Sequence, residues 1–218
     1  MEILDRITRY SQSAIKIETN GIIIWLDPYK LPDNEDKADY IFITHSHFDH
    51  LSFEDIEKIA TDKTHFFAPY DCIPKLADAG YKKFTSVEPG TKDEIEDNIL
   101  IETVPMYNIN KTTYHPRGNK WVGYILTIEG KRIYHTGDTE RIPEMKDVNC
   151  DIVFMPLGQT YTMDSVEDAA EAVLDVKAKI AIPFHYGLYE GKEEDTLKFR
   201  ELLDGKVKVI IKRSYNVS

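Results

Sequence analysis

Residues 44–51 read THSHFDHL, which places three of the chain's seven histidines and an aspartate within six positions. In an extended segment side chains two apart point the same way, so His45 and His47 can converge on one ion. Asp49 and His50, where the chain starts to curl, can face a second position nearby. Imidazole nitrogen and carboxylate oxygen suit a borderline-soft cation such as Zn²⁺, which accepts them at about 2.0–2.2 Å. One histidine in a loop is a common accident of composition, whereas H-x-H-x-D-H directly after an apolar run is a metal-ligand spacing. Cys72 and Cys150 are the only cysteines, far apart and outside any C-x-x-C pattern, so neither a disulfide framework nor a thiolate site is suggested. A metal here must be held by histidine and carboxylate.

Such ligands need strand ends to present them. Ile15 and Ile17 alternate with polar neighbours, an Asn20-Gly21 turn follows, and IIIWLD runs into Pro28, which predicts a hairpin with a buried second strand. ADYIFIT, residues 38–44, is a short apolar strand ending in the histidine cluster. Ser52-x-x-Asp55 opens a short helix to about Ala60, and Ser165-x-x-Asp168 opens a second. In that second helix Val166, Ala169, Ala170, Val173 and Leu174 form a one-sided stripe. HFFAP, NILIETVP, WVGYILTI, RIYHTG, DIVFMPLG, KIAIPFH and VKVIIKR (207–213) read as further strands, and EEDTLKFRELL as a helix. Glu129-Gly130-Lys131 is the tight turn between WVGYILTI and RIYHTG. The hairpin-spaced strands followed by helix-punctuated ones predict an antiparallel-rich or mixed sheet covered by helices.

No Pro/Gly/Ser linker or low-complexity segment divides the chain, so residues 1–218 are expected to form a single domain. An apolar fraction of 42% with 11% aromatics places it with globular proteins. Thirty-eight acidic residues against 27 basic give a net charge of −11, a field that repels nucleic acid and anionic membrane surfaces. The N-terminal MEILDRITRYSQSA lacks the apolar core of a signal peptide, and the longest apolar run, GIIIWL, is too short to span a bilayer. The expectation is a cytoplasmic protein with no membrane partner and a charge that disfavours a nucleic-acid partner. Oligomeric state is not legible in the chain.

THSHFDHL resembles the T-H-x-H-x-D-H signature of the metallo-β-lactamase-fold superfamily of metal-dependent hydrolases. That family carries, further on, a histidine, then Gly-Asp at a strand end, then a last histidine after another strand. Gly137-Asp138 closes RIYHTGDT, and Asp138 resembles the family's bridging carboxylate. His185 in AIPFHYG matches the last histidine. His115 precedes two strands that lead to Gly137-Asp138 and fits the middle position, with His65 and His135 as competitors: His65 comes soon after the cluster, and His135 sits inside a strand as a core residue would. The context departs from the family's usual Gly-His-Thr or Pro-Gly-His, reading Thr113-Tyr114-His115-Pro116. Asp27 in IIIWLDP resembles the strand-end aspartate that supports the histidine loop from behind; an Asp-Pro turn is the alternative reading. The resemblance covers about Ala14 to His185.

It implies an α/β (α+β) chain folded as an αββα sandwich, two mixed β-sheets flanked by helices. It also implies two divalent metal ions: one on His45, His47 and His115, the other on Asp49, His50 and His185, with Asp138 between. A hydroxide bridging two such ions, formed because they lower the pKa of water toward 7, would attack a small ester, lactone or phosphodiester. Asp49 would orient that hydroxide or pass its proton on. Di-iron redox relatives carry Glu where this chain has His47, so histidine there favours zinc and hydrolysis, with Mn²⁺, Ni²⁺ or Fe²⁺ as alternatives. The competing reading is a non-hydrolytic member of the fold with a redox or binding role. DPY, VPMYNINK, HTGDTERIPEM and LGQTYTM look most like the small lactonase-like and phosphodiesterase-like metallohydrolases. Tyr186 could donate to an oxyanion or pack in the core, and Tyr161 and Met163 could line the pocket or pack.

Overall fold

Asn20 and Gly21 both take positive φ, 48° and 83°, the pattern of a type I′ turn whose twist matches that of its flanking strands. The strands they join, β2 (Ile15–Thr19) and β3 (Ile22–Leu26), pair antiparallel from Thr19↔Ile22 to Ile15↔Leu26. The structure, a computed structural model, describes residues 2–212 and divides into two compact units: one runs to Val87 and includes Lys212, the other is Glu88–Ile211.

The first unit holds a six-stranded sheet in sequence order. β1 (Ile7–Arg9) joins β2 and β3 antiparallel, after which β4 (Tyr40–Phe42), β5 (His65–Pro69) and β6 (Phe84–Val87) add in parallel. Parallel neighbours require crossovers. α1 (Phe53–Ile59) supplies the one between β4 and β5 and α2 (Ile73–Asp78) the one between β5 and β6, packing Ile56, Ile59 and Leu76 against Trp25, Ile41, Ile43 and Phe66.

The second unit holds a seven-stranded sheet. β7 (Lys92–Ile95), β8 (Ile99–Pro105), β9 (Val122–Ile128) and β10 (Lys131–His135) form an antiparallel meander, with Glu129 and Gly130 at positive φ in the β9–β10 turn. β11 (Ile152–Pro156), β12 (Ile180–Phe184) and β13 (Lys208–Val209) then continue in parallel. α3 (Val166–Asp175) is the crossover between β11 and β12, and α4 (Asp195–Leu202) the one between β12 and β13. Ala169, Val173, Phe199 and Leu203 pack against Val153, Met155 and Leu157. Both sheets are therefore mixed, an α/β class as expected.

The elements absent from the sequence reading are the ones with weak periodicity. β7 reads KDEI and is nearly all exposed, and α2 buries Leu76 alone. Of the strand expected over 207–213, only Lys208–Val209 is a strand, and Arg213 lies outside the described residues. Both cysteines are free and buried, and burial pushes the Cys150 thiol up to about 12. Neither has thiolate character at neutral pH. Among the described residues no helix is long and apolar enough to cross a membrane.

Ser52 and Ser165 cap α1 and α3 as the two boxes predicted, their Oγ atoms accepting from the amides of Asp55 and Asp168. Asp55 does more than cap. Its carboxylate accepts from the amides of Lys30 and Leu31 at 2.8 Å each, from Ser52 Oγ at 2.7 Å and from Lys58 Nζ at 3.0 Å, fixing the segment that follows β3. Burial alone would raise its pKa, but these donors hold it below the ordinary carboxylate value. A group with a lowered folded pKa stabilises the protein above its unfolded pKa and loses that contribution as pH falls through the folded value. Asp55→Asn is thus expected to cost about 1–3 kcal/mol at pH 7 and progressively less as pH falls below the ordinary carboxylate range. Urea midpoints of both proteins across that range check it; a pH-independent difference would contradict it.

Candidate metal centre

In the first unit the loop after β4 is shaped by its own backbone. The amides of His50 and Leu51 both donate to the carbonyl of His47, at 3.1 and 2.8 Å, which turns Asp49 and His50 back toward His45. Asp27, fully buried at the end of β3 with φ at 44°, holds this loop from behind. Its Oδ1 accepts from the Thr44 amide at 2.8 Å, and its Oδ2 from the Thr44 hydroxyl at 2.6 Å, with His50 Nδ1 2.8 Å away. Asp27 is therefore a loop support rather than merely an Asp-Pro turn.

These contacts decide which imidazole nitrogens carry protons. Thr44 Oγ spends its hydrogen on Asp27, so toward His45 Nδ1, at 2.9 Å, it can only accept. His45 Nδ1 then carries the hydrogen, and Nε2 keeps its lone pair. His50 is set in the same way by Asp27, and its Nε2 lies 3.8 Å from Asp49 Oδ2. His45 Nε2 is 3.0 Å from His47 Nδ1, near the roughly 3.3 Å edge expected for two nitrogens on one tetrahedral ion with bonds of about 2.0 Å. Gln12, which the sequence did not single out, donates from Nε2 to Asp49 Oδ2 at 3.1 Å.

In the second unit His115, Asp138 and His185 come together, all buried. Asp138 Oδ2 lies 2.9 Å from His185 Nε2 and 3.6 Å from His115 Nε2. The far nitrogens are again held: His115 Nδ1 donates to the Tyr161 carbonyl at 3.1 Å, and His185 Nδ1 is 2.8 Å from Glu190 Oε1. Burial opposes a charge on His185, but Asp138 and Glu190 on its two sides raise its pKa to about 10. His185 thus sits between two carboxylates, a setting that favours positive charge.

Glu140 shapes the segment that carries His115, accepting from the amides of Ile109, Asn110 and Lys111 at 2.7, 2.7 and 2.9 Å. His135 lies elsewhere, its ring 4.8 Å from that of Phe184 and its Nδ1 accepting from the Gly137 amide. His65, in the first unit, pairs with the Thr85 hydroxyl at 2.8 Å. Tyr186 and Met163 belong to the buried cluster of the second unit, and Tyr161 is half-buried with its ring edge-on to Tyr114. Glu140 and Glu190 were also unforeseen, because a lone carboxylate in a polar loop carries no periodicity or spacing.

A family model described as the beta-lactamase superfamily domain matches residues 24–186, a span that holds Asp27 and all seven candidate ligands but not Glu190. The UPF0173 protein of Pyrococcus abyssi is 31% identical over 218 residues, covering 95% of each chain. The UPF0173 metal-dependent hydrolase of Geobacillus sp. strain WCH70 is 30% identical over 238 residues, covering 95% of this chain and 96% of its own. The crystal structure of a Parabacteroides distasonis protein, assigned as a metal-dependent hydrolase, is similar at a TM-score of 0.84 and 35% identity, over 95% of this chain and 92% of that one.

Proposed function

This chain belongs to the β-lactamase superfamily, as a metallo-β-lactamase-fold member of a metal-dependent hydrolase family, and we propose that it holds two divalent cations, zinc foremost, to hydrolyse a small ester, lactone or phosphodiester. His45, His47 and His115 would hold one ion, and Asp49, His50 and His185 the other. Asp138 would serve both. On this reading residues 1–218 are a single metallo-hydrolase domain.

The observation that carries this reading is the state of four buried histidines. His45, His50, His115 and His185 each have Nδ1 against a protein oxygen: the Thr44 hydroxyl, Asp27, the Tyr161 carbonyl and Glu190. Each is thereby directed to present Nε2, the arrangement that metal-ligating histidines use to fix tautomer and ring orientation. Buried histidines in an ordinary core have no such common orientation to keep.

When bound, two such ions lower the pKa of a shared water toward 7 and stabilise the negative charge that develops on the substrate's oxygen. Asp49, held by Gln12, is the residue to receive the proton released at nucleophilic attack and to return it to the leaving group. Asp27 and Glu190 keep the imidazoles in register throughout.

Protein purified without added metal is expected to retain about two equivalents of divalent cation and to cleave at least one of a chromogenic phosphodiester, lactone or thioester under Zn²⁺ or Mn²⁺. Less than about one equivalent, or iron with a redox-active spectrum, would count against it. His115→Ala is expected to lower zinc affinity by at least about 100-fold, more than loss of an outer partner does, while His135→Ala and His65→Ala stay near wild type. Metal loss in His135→Ala instead would reassign the middle ligand.

A further inference from the structure

We propose that Glu190 is a positioning residue that sets the tautomers of both His115 and His185, and through them the metal affinity of the second unit's ligands. The inference rests on the metal-site reading above and assigns a role to a residue outside the span that the family model matches.

Glu190 is buried, and its two oxygens are divided between two tasks. Oε1 lies 2.8 Å from His185 Nδ1 and accepts from Thr162 Oγ at 3.0 Å. Oε2 accepts from the amides of Thr160 and Tyr161 at 2.8 and 2.6 Å. The second task reaches His115. Tyr161, fixed by its amide, turns its carbonyl to His115 Nδ1 at 3.1 Å and to Asn108 Nδ2 at 2.7 Å. One carboxylate therefore holds one imidazole directly and the other through a single residue, Tyr161. Both oxygens thus face donors, Oε1 toward His185 and Thr162 and Oε2 toward the two amides.

The chain makes room for this carboxylate at a specific place. A Cβ on Gly158 would lie 1.9 Å from Glu190 Cδ and 2.0 Å from Oε1. Alanine there cannot coexist with Glu190 in its seat. His185 itself has φ at 54°, an uncommon backbone conformation for a residue with a side chain, and the turn behind it is closed by the Gly187 amide donating to the Glu190 carbonyl at 3.0 Å. Backbone and side chain of Glu190 thus both bear on His185.

Glu190→Gln is the discriminating change, because a carboxamide has one acceptor oxygen. If that oxygen stays with the Thr160 and Tyr161 amides, the NH₂ faces His185 Nδ1 and drives its hydrogen to Nε2, the nitrogen a metal needs. If the amide flips, the NH₂ opposes two amide donors and the Tyr161 carbonyl leaves His115.

The test uses zinc-loaded full-length protein with ¹⁵N-labelled histidine, together with zinc affinity from chelator competition. Wild type is expected to show Nδ1–H and metal-bound Nε2 for His115 and His185. In Glu190→Gln, one of the two loses that pattern, and zinc affinity falls about 10- to 100-fold. In metal-free protein the Thr160 and Tyr161 amides should exchange faster in the variant if His115 is the residue that loses the pattern, and at the wild-type rate if it is His185. Gly158→Ala, which keeps the glutamate but evicts it, should give the same zinc loss, and Gly158→Ala with Glu190→Ala should be no weaker than Glu190→Ala alone. If wild type binds two zinc ions and Glu190→Gln keeps both the tautomers and the affinity, the inference about Glu190 fails and the metal-site reading stands. Wild type without zinc would instead end the reading it rests on. Should Glu190→Gln not fold, Gly158→Ala carries the same decision.

Discussion

Asp138→Ala is expected to abolish hydrolysis, by about a thousandfold or more, which corresponds to roughly 4 kcal/mol of barrier. Its Oδ2 lies near Nε2 of both His115 and His185, so removing it takes away an anionic ligand and the charge that favours a cation beside His185. Metal content should fall to about one equivalent or less. The fold should survive, because the Asp138 amide keeps its contact with Met106 Sδ at 3.1 Å and the neighbouring Thr139 hydroxyl still donates to the Tyr107 carbonyl at 2.9 Å. Circular dichroism and a thermal midpoint near wild type would establish that. Asp138→Asn, similar in shape but neutral, should bind metal more weakly than wild type and better than alanine. Near-normal turnover in Asp138→Ala at full metal loading would sink the proposed assignment of Asp138.

What made the site legible was density in one place and order elsewhere. THSHFDHL packs four candidate ligands after β4, where His45 Nε2 lies 3.0 Å from His47 Nδ1 and His50 Nε2 lies 3.8 Å from Asp49 Oδ2. His115, Asp138 and His185 are single residues with no local pattern; their order along the chain drew attention to them, and the second unit brings the three together. The acceptors behind the ligands were legible only in part. Asp27 could be read because it ends an apolar strand next to Pro28. Glu190 could not, since GLYEGKEE looks like any solvated acidic turn and its burial depends on Gly158, about thirty residues earlier. A mixed sheet covered by helices was legible from apolar runs and turn residues, whereas the two-sheet sandwich was implied by the family resemblance; β7 and α2 escaped notice because edge strands and short helices bury too little to show a period.

Asp27→Ala is the change expected to cost most in stability. The residue is fully buried, and its carboxylate serves the Thr44 amide, the Thr44 hydroxyl and His50 Nδ1 together. Alanine leaves an amide and an imidazole without their acceptor in a place water does not reach. Deleting one partner of a buried charged contact costs roughly 3–5 kcal/mol, a large part of the 5–15 kcal/mol that holds a typical domain. A fall in melting temperature on the order of 10 °C follows for a chain of this size. Asp27→Asn separates the support of the loop from the control of His50. Its oxygen can still take the Thr44 amide, so much of the stability should return. Its NH₂ would then face His50 Nδ1 and push the hydrogen to Nε2, so zinc affinity should stay about 10- to 100-fold down. Asp138→Ala should show the opposite combination, with activity gone and stability kept. A melting temperature for Asp27→Ala within about 2 °C of wild type would mean that the loop does not depend on this carboxylate. Wild-type zinc binding by Asp27→Asn would mean that His50 does not need it.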